Sequence, residues 1–407
     1  MGAVARSHRA KWYTTALMRP RLSAIPVLAF VALAGCASTR SGELHAADVH
    51  RRAVVLDAHD DITEAIVYDG YDFARRHDSS TDTDLPRMQE GGLDAEIFAI
   101  WINPDRVPRE RWASEAEHEL VTARERLAAA GLALARTARE VRDNAARGVT
   151  SALFGVEGGY MLGDGTPDEM LARLRRFAGL GARYLTLTHS ARSPFGGSSG
   201  DDSDTEGLTD FGRRAIEEMQ RLGVVVDLSH VSDPLFWDAI RAAKKPVIAS
   251  HSSARSLANV PRNMTDPMLK AVARTGGAVC VNFFPGFLDQ RAFDDLKRAQ
   301  ADLEREGVKP ERLSIVGLRR ALGRANLRAV DLAAVADHLQ YVAKVAGIDH
   351  VCLGSDYDGI PVTPRGLDDV SKLPALTAEL LRRGMSEADV EKVLGGNLLR
   401  VLEANEP

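Results

Sequence analysis

His59 and Asp61 stand two residues apart at the end of an apolar, β-rich run, VVLDAHDD. In an extended chain, residues i and i+2 face the same way, so one imidazole and one carboxylate can address a single cation there. The arrangement recurs along the chain. Glu157 ends ALFGVEGG, His189 ends YLTLTHS, His230 ends VVVDLSHVS, His251 ends PVIASHSS and Asp356 ends VCLGSDYDG. Imidazole and carboxylate both suit Zn2+, and Mn2+ and Co2+ accept the same N/O donors. His59 and Asp61 can hold one ion and His230 and His251 a second. Glu157, with two oxygens, can bridge the pair, and two ions that share a water activate it for hydrolysis. Each residue also has a blander role. A lone HxD pair is commonly just hydrogen-bonded, and a glutamate before two glycines is as often an ion-pair partner or a helix cap. Recurrence at strand ends favours the metal reading.

The neighbouring serines, Ser229 and Ser250, invite a Ser-His hydrolase instead. Adjacent residues on a strand point to opposite faces, and neither serine lies in a G-x-S-x-G elbow. Asp356 is placed to hold a proton for a water, and His189 to stabilise an oxyanion or simply to be a buried, hydrogen-bonded histidine. Arg262 follows Pro261 in a loop. An arginine there can clamp a carboxylate through two bonds, though its pattern alone reads as surface.

These residues need elements to position them. Eight apolar runs read as strands: Ala53–Asp57, Ala95–Ile102, Ser151–Val156, Tyr184–Thr188, Val224–Leu228, Pro246–Ser250, Ala278–Phe283 and His350–Gly354. Between them lie amphipathic stretches of helical period, several closed by a glycine such as Gly181, Gly223 or Gly347. Alternation of this kind, with polar strand ends, predicts a (β/α)8 barrel of the metal-dependent hydrolase type in a single domain. A doubly wound sheet shares the alternation but not the count. Two connections are long, Ile62–Leu93 and Phe284–Asn326, and the second contains a helix-like segment placed to cover part of the mouth.

The N-terminal segment is expected to be processed. Arg19 and Arg21 precede an apolar run too short to span a bilayer, ending Leu33-Ala34-Gly35-Cys36. That ending resembles a lipoprotein signal with Cys36 as the lipidation site. Residues 1–36 are thus expected to be signal, 37–50 a tether and 51–407 the barrel domain, with Met18 an alternative start. Such a chain would be exported to the bacterial cell envelope and anchored to a membrane through lipid. Cys280 and Cys352, inside apolar runs, are expected to be buried free thiols. The net charge of −5 over 407 residues, with no basic stripe, argues against nucleic acid as a partner.

Taken together the motifs resemble the membrane (renal) dipeptidase family. The resemblance runs from about Arg52 to Leu402. It is carried by LDAHDD, TDLPRMQEGG, FGVEGG, RYLTLTHS, LTDFGRRAIEEMQRLGVVVDLSHVS, VIASHSSAR, PRNMTD, VAGIDHVCLGSDYDG and GGNLLRVL. It implies two zinc ions on His59, Asp61, Glu157, His230 and His251, with Glu157 bridging, and hydrolysis of dipeptides, often with a D-residue at the C-terminal position. It also implies that His189 contacts the tetrahedral intermediate, Arg262 the substrate carboxylate and Asp356 the water or leaving amine, in a homodimer. The family's first motif usually reads Asp-Gly-His-Asn-Asp. Here Ala58 and Asp60 depart from it, and Asp60 is expected to add negative charge beside the site. Two rival readings fit the residues: an amidase or lactonase on the same metal scaffold, and a metal-binding lipoprotein without catalysis.

Overall fold

The barrel strands are largely apolar because both of their faces are covered. In the computed structural model, which describes residues 42–77, 80–323, 325 and 327–407, every strand but the short Ala133–Leu134 pair is buried along its length. The strands are β1 (Leu56–Asp60), β2 (Ala95–Ile100), β3 (Ala133–Leu134), β4 (Ser151–Glu157), β5 (Ala182–Thr186), β6 (Val225–Asp227), β7 (Ile248–Ala249), β8 (Ala278–Val281) and β9 (Val351–Leu353). All pairings are parallel, and the order β2-β1-β9-β8-β7-β6-β5-β4 is closed by β2 pairing with β4 from Ala95↔Ser151 to Ile100↔Val156. The result is a closed barrel of eight strands with helices outside, as the alternation predicts.

The register departs from the sequence reading at two places. The first strand begins at Leu56 rather than Ala53, which brings His59 into the strand itself. Its register shifts between Asp57 and Asp60, so the side-chain alternation is interrupted just before the site. The two-residue β3 pairs with Ser151 and Ala152, below the point where β5 joins β4 at Phe154. A strand that short carries no periodic signal.

Helix termini follow local chemistry. Helix α1 (Pro167–Leu180) starts in a capping box between Thr166 and Glu169 and stops at Gly181, φ 116°. Helix α2 (Asp210–Leu222) is capped by Thr209 and stops at Gly223, φ 73°. After β8 come α3 (Gln290–Arg305) and α4 (Ile315–Leu322), then α5 (Leu332–Ala346), which returns the chain to β9. The last helix, α6 (Asn397–Asn405), packs Leu398 and Leu402 into the same cluster as Leu56, Ala95 and Ala278, the first residues of their strands. It therefore plugs the barrel floor, away from the polar strand ends.

Two expectations are corrected or moved. Cys280 and Cys352 are not free thiols but a disulfide. They lie directly opposite each other on β8 and β9, and the parallel pairing of those strands brings together residues 72 apart in sequence. Residues 42–52 are helical, with Val49 and His50 buried in the barrel unit, which begins at Leu44. Residues 1–36, including Cys36, lie outside the described residues. No described helix is long and apolar enough to cross a membrane.

Candidate metal centre

The barrel brings the strand-end residues to one point. Glu157 Oε1 lies 3.0 Å from His230 Nε2, 3.2 Å from His251 Nε2 and 3.6 Å from His59 Nε2. His59 Nε2 is 3.5 Å from Asp61 Oδ2, and His189 Nε2 is 4.0 Å from Glu157 Oε2. The Nε2 atoms of His230 and His251 are 2.9 Å apart, as two donors aimed at one position would be. Candidate ligand sets overlap on Glu157 and His59, and they extend to His189 and to Asp356 as well as to the five residues expected.

The outer partners set the ring orientations. His59 Nδ1 bonds Tyr184 Oη at 2.7 Å, which leaves Nε2 facing the carboxylates. Tyr184 reaches that position because residue 155 is glycine: a Cβ there would stand 2.0 Å from the tyrosine ring. His251 Nδ1 lies 2.8 Å from Ser250 Oγ, and Ser250 Oγ donates to Asp227 Oδ2 at 2.6 Å. That relay turns Nε2 of His251 inward. Ser250 thus orients a ring nitrogen, while Ser229 Oγ accepts from His251 N at 3.1 Å.

Backbone strain is concentrated here. The only described non-glycine residues with positive φ are His230 (67°), Asp356 (65°) and Asp358 (60°). Two of the three are site residues, held where only surrounding structure keeps an ordinary side chain. The tight turn after Asp356 needs Gly359, because a Cβ there would lie 2.0 Å from Asp61 Oδ2 and 2.5 Å from Asp356 Oδ1.

Electrostatics favour a cation. Burial holds the His230 and His251 imidazoles well below their ordinary value, hence neutral and ligand-competent. Burial also opposes charge on Glu157, but the His59 and His189 rings and the bonds from His230 and His251 outweigh it and hold the carboxyl well below the usual range. At His59 burial is outweighed by Tyr184, Glu157 and Asp61, so that ring holds a proton well above its ordinary value. The pocket thus calls for positive charge at its centre. His59 Nε2 and Asp61 Oδ1 are buried without a hydrogen-bond partner, and a divalent ion would supply the charge and the missing contacts.

The matching family profile is membrane dipeptidase, peptidase family M19, over residues 44–407. The chain belongs to the membrane dipeptidase family. It is a metallo-dipeptidase. Among solved structures it is similar to a metallopeptidase, dipeptidase AC, at 28% identity and TM-score 0.71, over 87% of this chain and 98% of that one. It is also similar to a Rhodobacter sphaeroides metallopeptidase carrying a phosphinate mimic of L-Ala-D-Ala, at 27% identity and TM-score 0.69, over 87% and 99%. The probable dipeptidase PvdM of Pseudomonas aeruginosa shares the fold at TM-score 0.77 and 24% identity, over 90% and 99%.

In this dipeptidase the cavity above the centre measures about 400 Å3. Arg262 lines it and is no free surface residue. Its guanidinium bonds His251 O and Ser252 Oγ at 3.2 and 3.3 Å and lies 5.2 Å from the Phe287 ring, while its Nε has no partner. Burial pulls it down to about 10, so it stays charged at neutral pH. Asp356 Oδ2 accepts from Asn282 Nδ2 at 2.8 Å, and burial pushes its carboxyl up to about 8. Asn282 was legible as the polar end of AVCVNFF, yet only the geometry gives it a partner. Trp101, 5.3 Å from the His189 ring, had no sequence signal at all.

Asp60 does not add charge at the mouth. It is fully buried, accepts from Ile62 N at 2.8 Å and from Thr83 Oγ1, and does not line the cavity. Burial, and next Asp358, push its carboxyl well above the usual range. As the residue next to His59 on β1, it points to the opposite face of the strand.

Proposed function

We propose that this dipeptidase works with two zinc ions, held by His59, Asp61, Glu157, His230 and His251, and cleaves dipeptides that include those with a C-terminal D-residue. The observation that carries this is the convergence of three imidazole Nε2 atoms on Glu157 Oε1 within 3.6 Å. When bound, the two ions supply an activated water and a Lewis acid for the carbonyl. The similarity to an enzyme liganded with an L-Ala-D-Ala mimic supports the stereochemical part.

The chain's own residues supply the rest. Arg262, recessed and charged, receives the free carboxylate and fixes the substrate's direction. His189, beside Glu157 and tilted against the Trp101 ring, donates to the oxygen that gains charge. Asp356, steadied by Asn282, takes a proton at its free oxygen and passes it to the leaving amine. Anchoring through a lipid on Cys36 in the cell envelope, and homodimeric assembly, belong to the same proposal and rest on the N-terminal pattern and the family resemblance.

Glu157→Gln tests the centre. Removing one carboxylate charge from the shared ligand is expected to lower metal content and to reduce kcat/KM on dipeptides by more than the roughly 10–100-fold typical of outer-shell changes. Full metal content with undiminished hydrolysis would overturn the assignment. Blocking the substrate carboxylate as an amide tests Arg262: a lactonase or general amidase would not discriminate.

A further inference from the structure

The segment after β8 is a small structure of its own. Leu296, Ala299 and Leu322 form a buried cluster separate from the barrel cores, with Phe284, Leu318 and Val362 packed against it. One side of this unit faces the cavity, through Phe284 and Phe287 at its start and Leu313, Ile315 and Leu318 further on. One residue fastens the far end. Arg319 on α4 pairs with buried Asp82, donates to Ile360 O at 2.9 Å and to Ser80 O at 3.1 Å, and does not itself line the cavity. Asp82 in turn bonds the turn after Asp356, through Asp82 N to Asp358 Oδ1 at 2.9 Å.

The guanidinium and the carboxyl groups take different parts of the rim. Arg262 and Phe287 lie on the β7–β8 side. The carboxylates outside the ligand set, Glu64, Asp105, Asp356 and Asp358, follow β1, β2 and β9. A dipeptide with its carboxylate on Arg262 therefore extends its ammonium towards β9 and β1. Ile315 and Leu318 are fastened through Arg319 to that same side, beside Ile360, which is 2% exposed.

We infer that Ile315, Leu318 and Ile360 form the pocket for the N-terminal side chain of the dipeptide, and that this pocket selects a large apolar residue. The inference rests on the dipeptidase reading and on Arg262 as carboxylate clamp. Arg319 is a positioning residue: it holds the wall against the β9 turn.

The test uses the metal-loaded full chain and four dipeptides, Gly-Ala, Leu-Ala, Ala-Gly and Ala-Leu, with both stereoisomers of each chiral C-terminal residue. Wild type is expected to prefer Leu-Ala over Gly-Ala by at least about tenfold in kcat/KM, the discrimination that an apolar pocket gives for missing methylenes. The Ile315→Ser/Leu318→Ser variant is expected to bring that ratio towards one, while the Ala-Leu to Ala-Gly ratio moves less than about threefold. Arg319→Met is expected to erode the first ratio through KM rather than kcat, with metal content retained. Equal rates on Leu-Ala and Gly-Ala in wild type, or variants that shift the C-terminal ratio instead, would overturn the inference and leave the dipeptidase reading standing. Failure of wild type to cleave any of the four would remove that reading and the inference with it.

Discussion

The mouth of this barrel is built from two regions that are held in different ways. The site residues stand on strand ends and are fixed from beneath: the ligands His59 by Tyr184 and His251 by Ser250 and Asp227, and the proton carrier Asp356 by Asn282. The segment after β8 carries its own small apolar cluster and is fastened at its far end by the Arg319 ion pair. Catalytic geometry belongs on the first kind of support, since metal ligands tolerate little displacement. A wall that sorts side chains needs only shape and apolar surface, and can differ between relatives without disturbing the centre.

Breaking the floor should cost most. Removing the Cys280–Cys352 disulfide, as in Cys280→Ala/Cys352→Ala, is expected to lower stability by about 2–5 kcal/mol, measured by denaturant unfolding, because it cross-links two barrel strands across the segment after β8. An unchanged midpoint would mean that the barrel closes as firmly without it.

The junction of the two regions carries a pH signature. His338 on α5 is 1% exposed, accepts from Ala254 N at 3.1 Å and lies 3.1 Å from Leu288 O, so it joins the loop after β7 to the start of the covering segment. Burial lowers it to about 4, against 6.5 when exposed. The folded state therefore binds fewer protons than the unfolded one between these values. Its stability contribution is present above pH 6.5 and is lost as pH falls through about 4, up to roughly 3 kcal/mol. His338→Gln should flatten that part of the stability–pH curve, and a curve of unchanged slope would count against the role.

Loosening the ligands' support should cost less. Asp227→Asn removes the charge behind the Ser250–His251 relay. Zinc affinity is expected to fall by about 10–100-fold, read by competition with a chromogenic chelator. An unchanged affinity would show that strand geometry alone orients His251. The smallest global effect is expected from Arg319→Met. Faster amide exchange should appear in residues 284–323, while the thermal midpoint moves by less than about 3 °C, since sub-global opening need not involve the core. A large global shift would mean that the two regions are one cooperative unit.

Much of this was legible beforehand because its causes are local. Apolar runs and helix caps mark elements within a few residues, so each of the eight barrel strands overlaps an expected run and the Gly181 and Gly223 stops stand where capping puts them. A metal-type side chain at the end of such a run is visible for the same reason, and the barrel gathers all seven such residues at one mouth. The start of β1, the two-residue β3 and the depth of Arg262 were not legible. Each depends on what packs opposite.

By itself the sequence determined the alternation and the strand-end donors, since these follow from residue types at short spacing, and it carried the resemblance to a dipeptidase family that the family profile bears out. Only the tertiary structure decided that Cys280 meets Cys352, that Asp60 accepts from Thr83, that His230 and Asp356 sit at positive φ, and that Arg319 reaches Asp82. These contacts join residues that lie far apart in the chain, or conformations that neighbours impose. Their energies exist only once the whole sheet is in register.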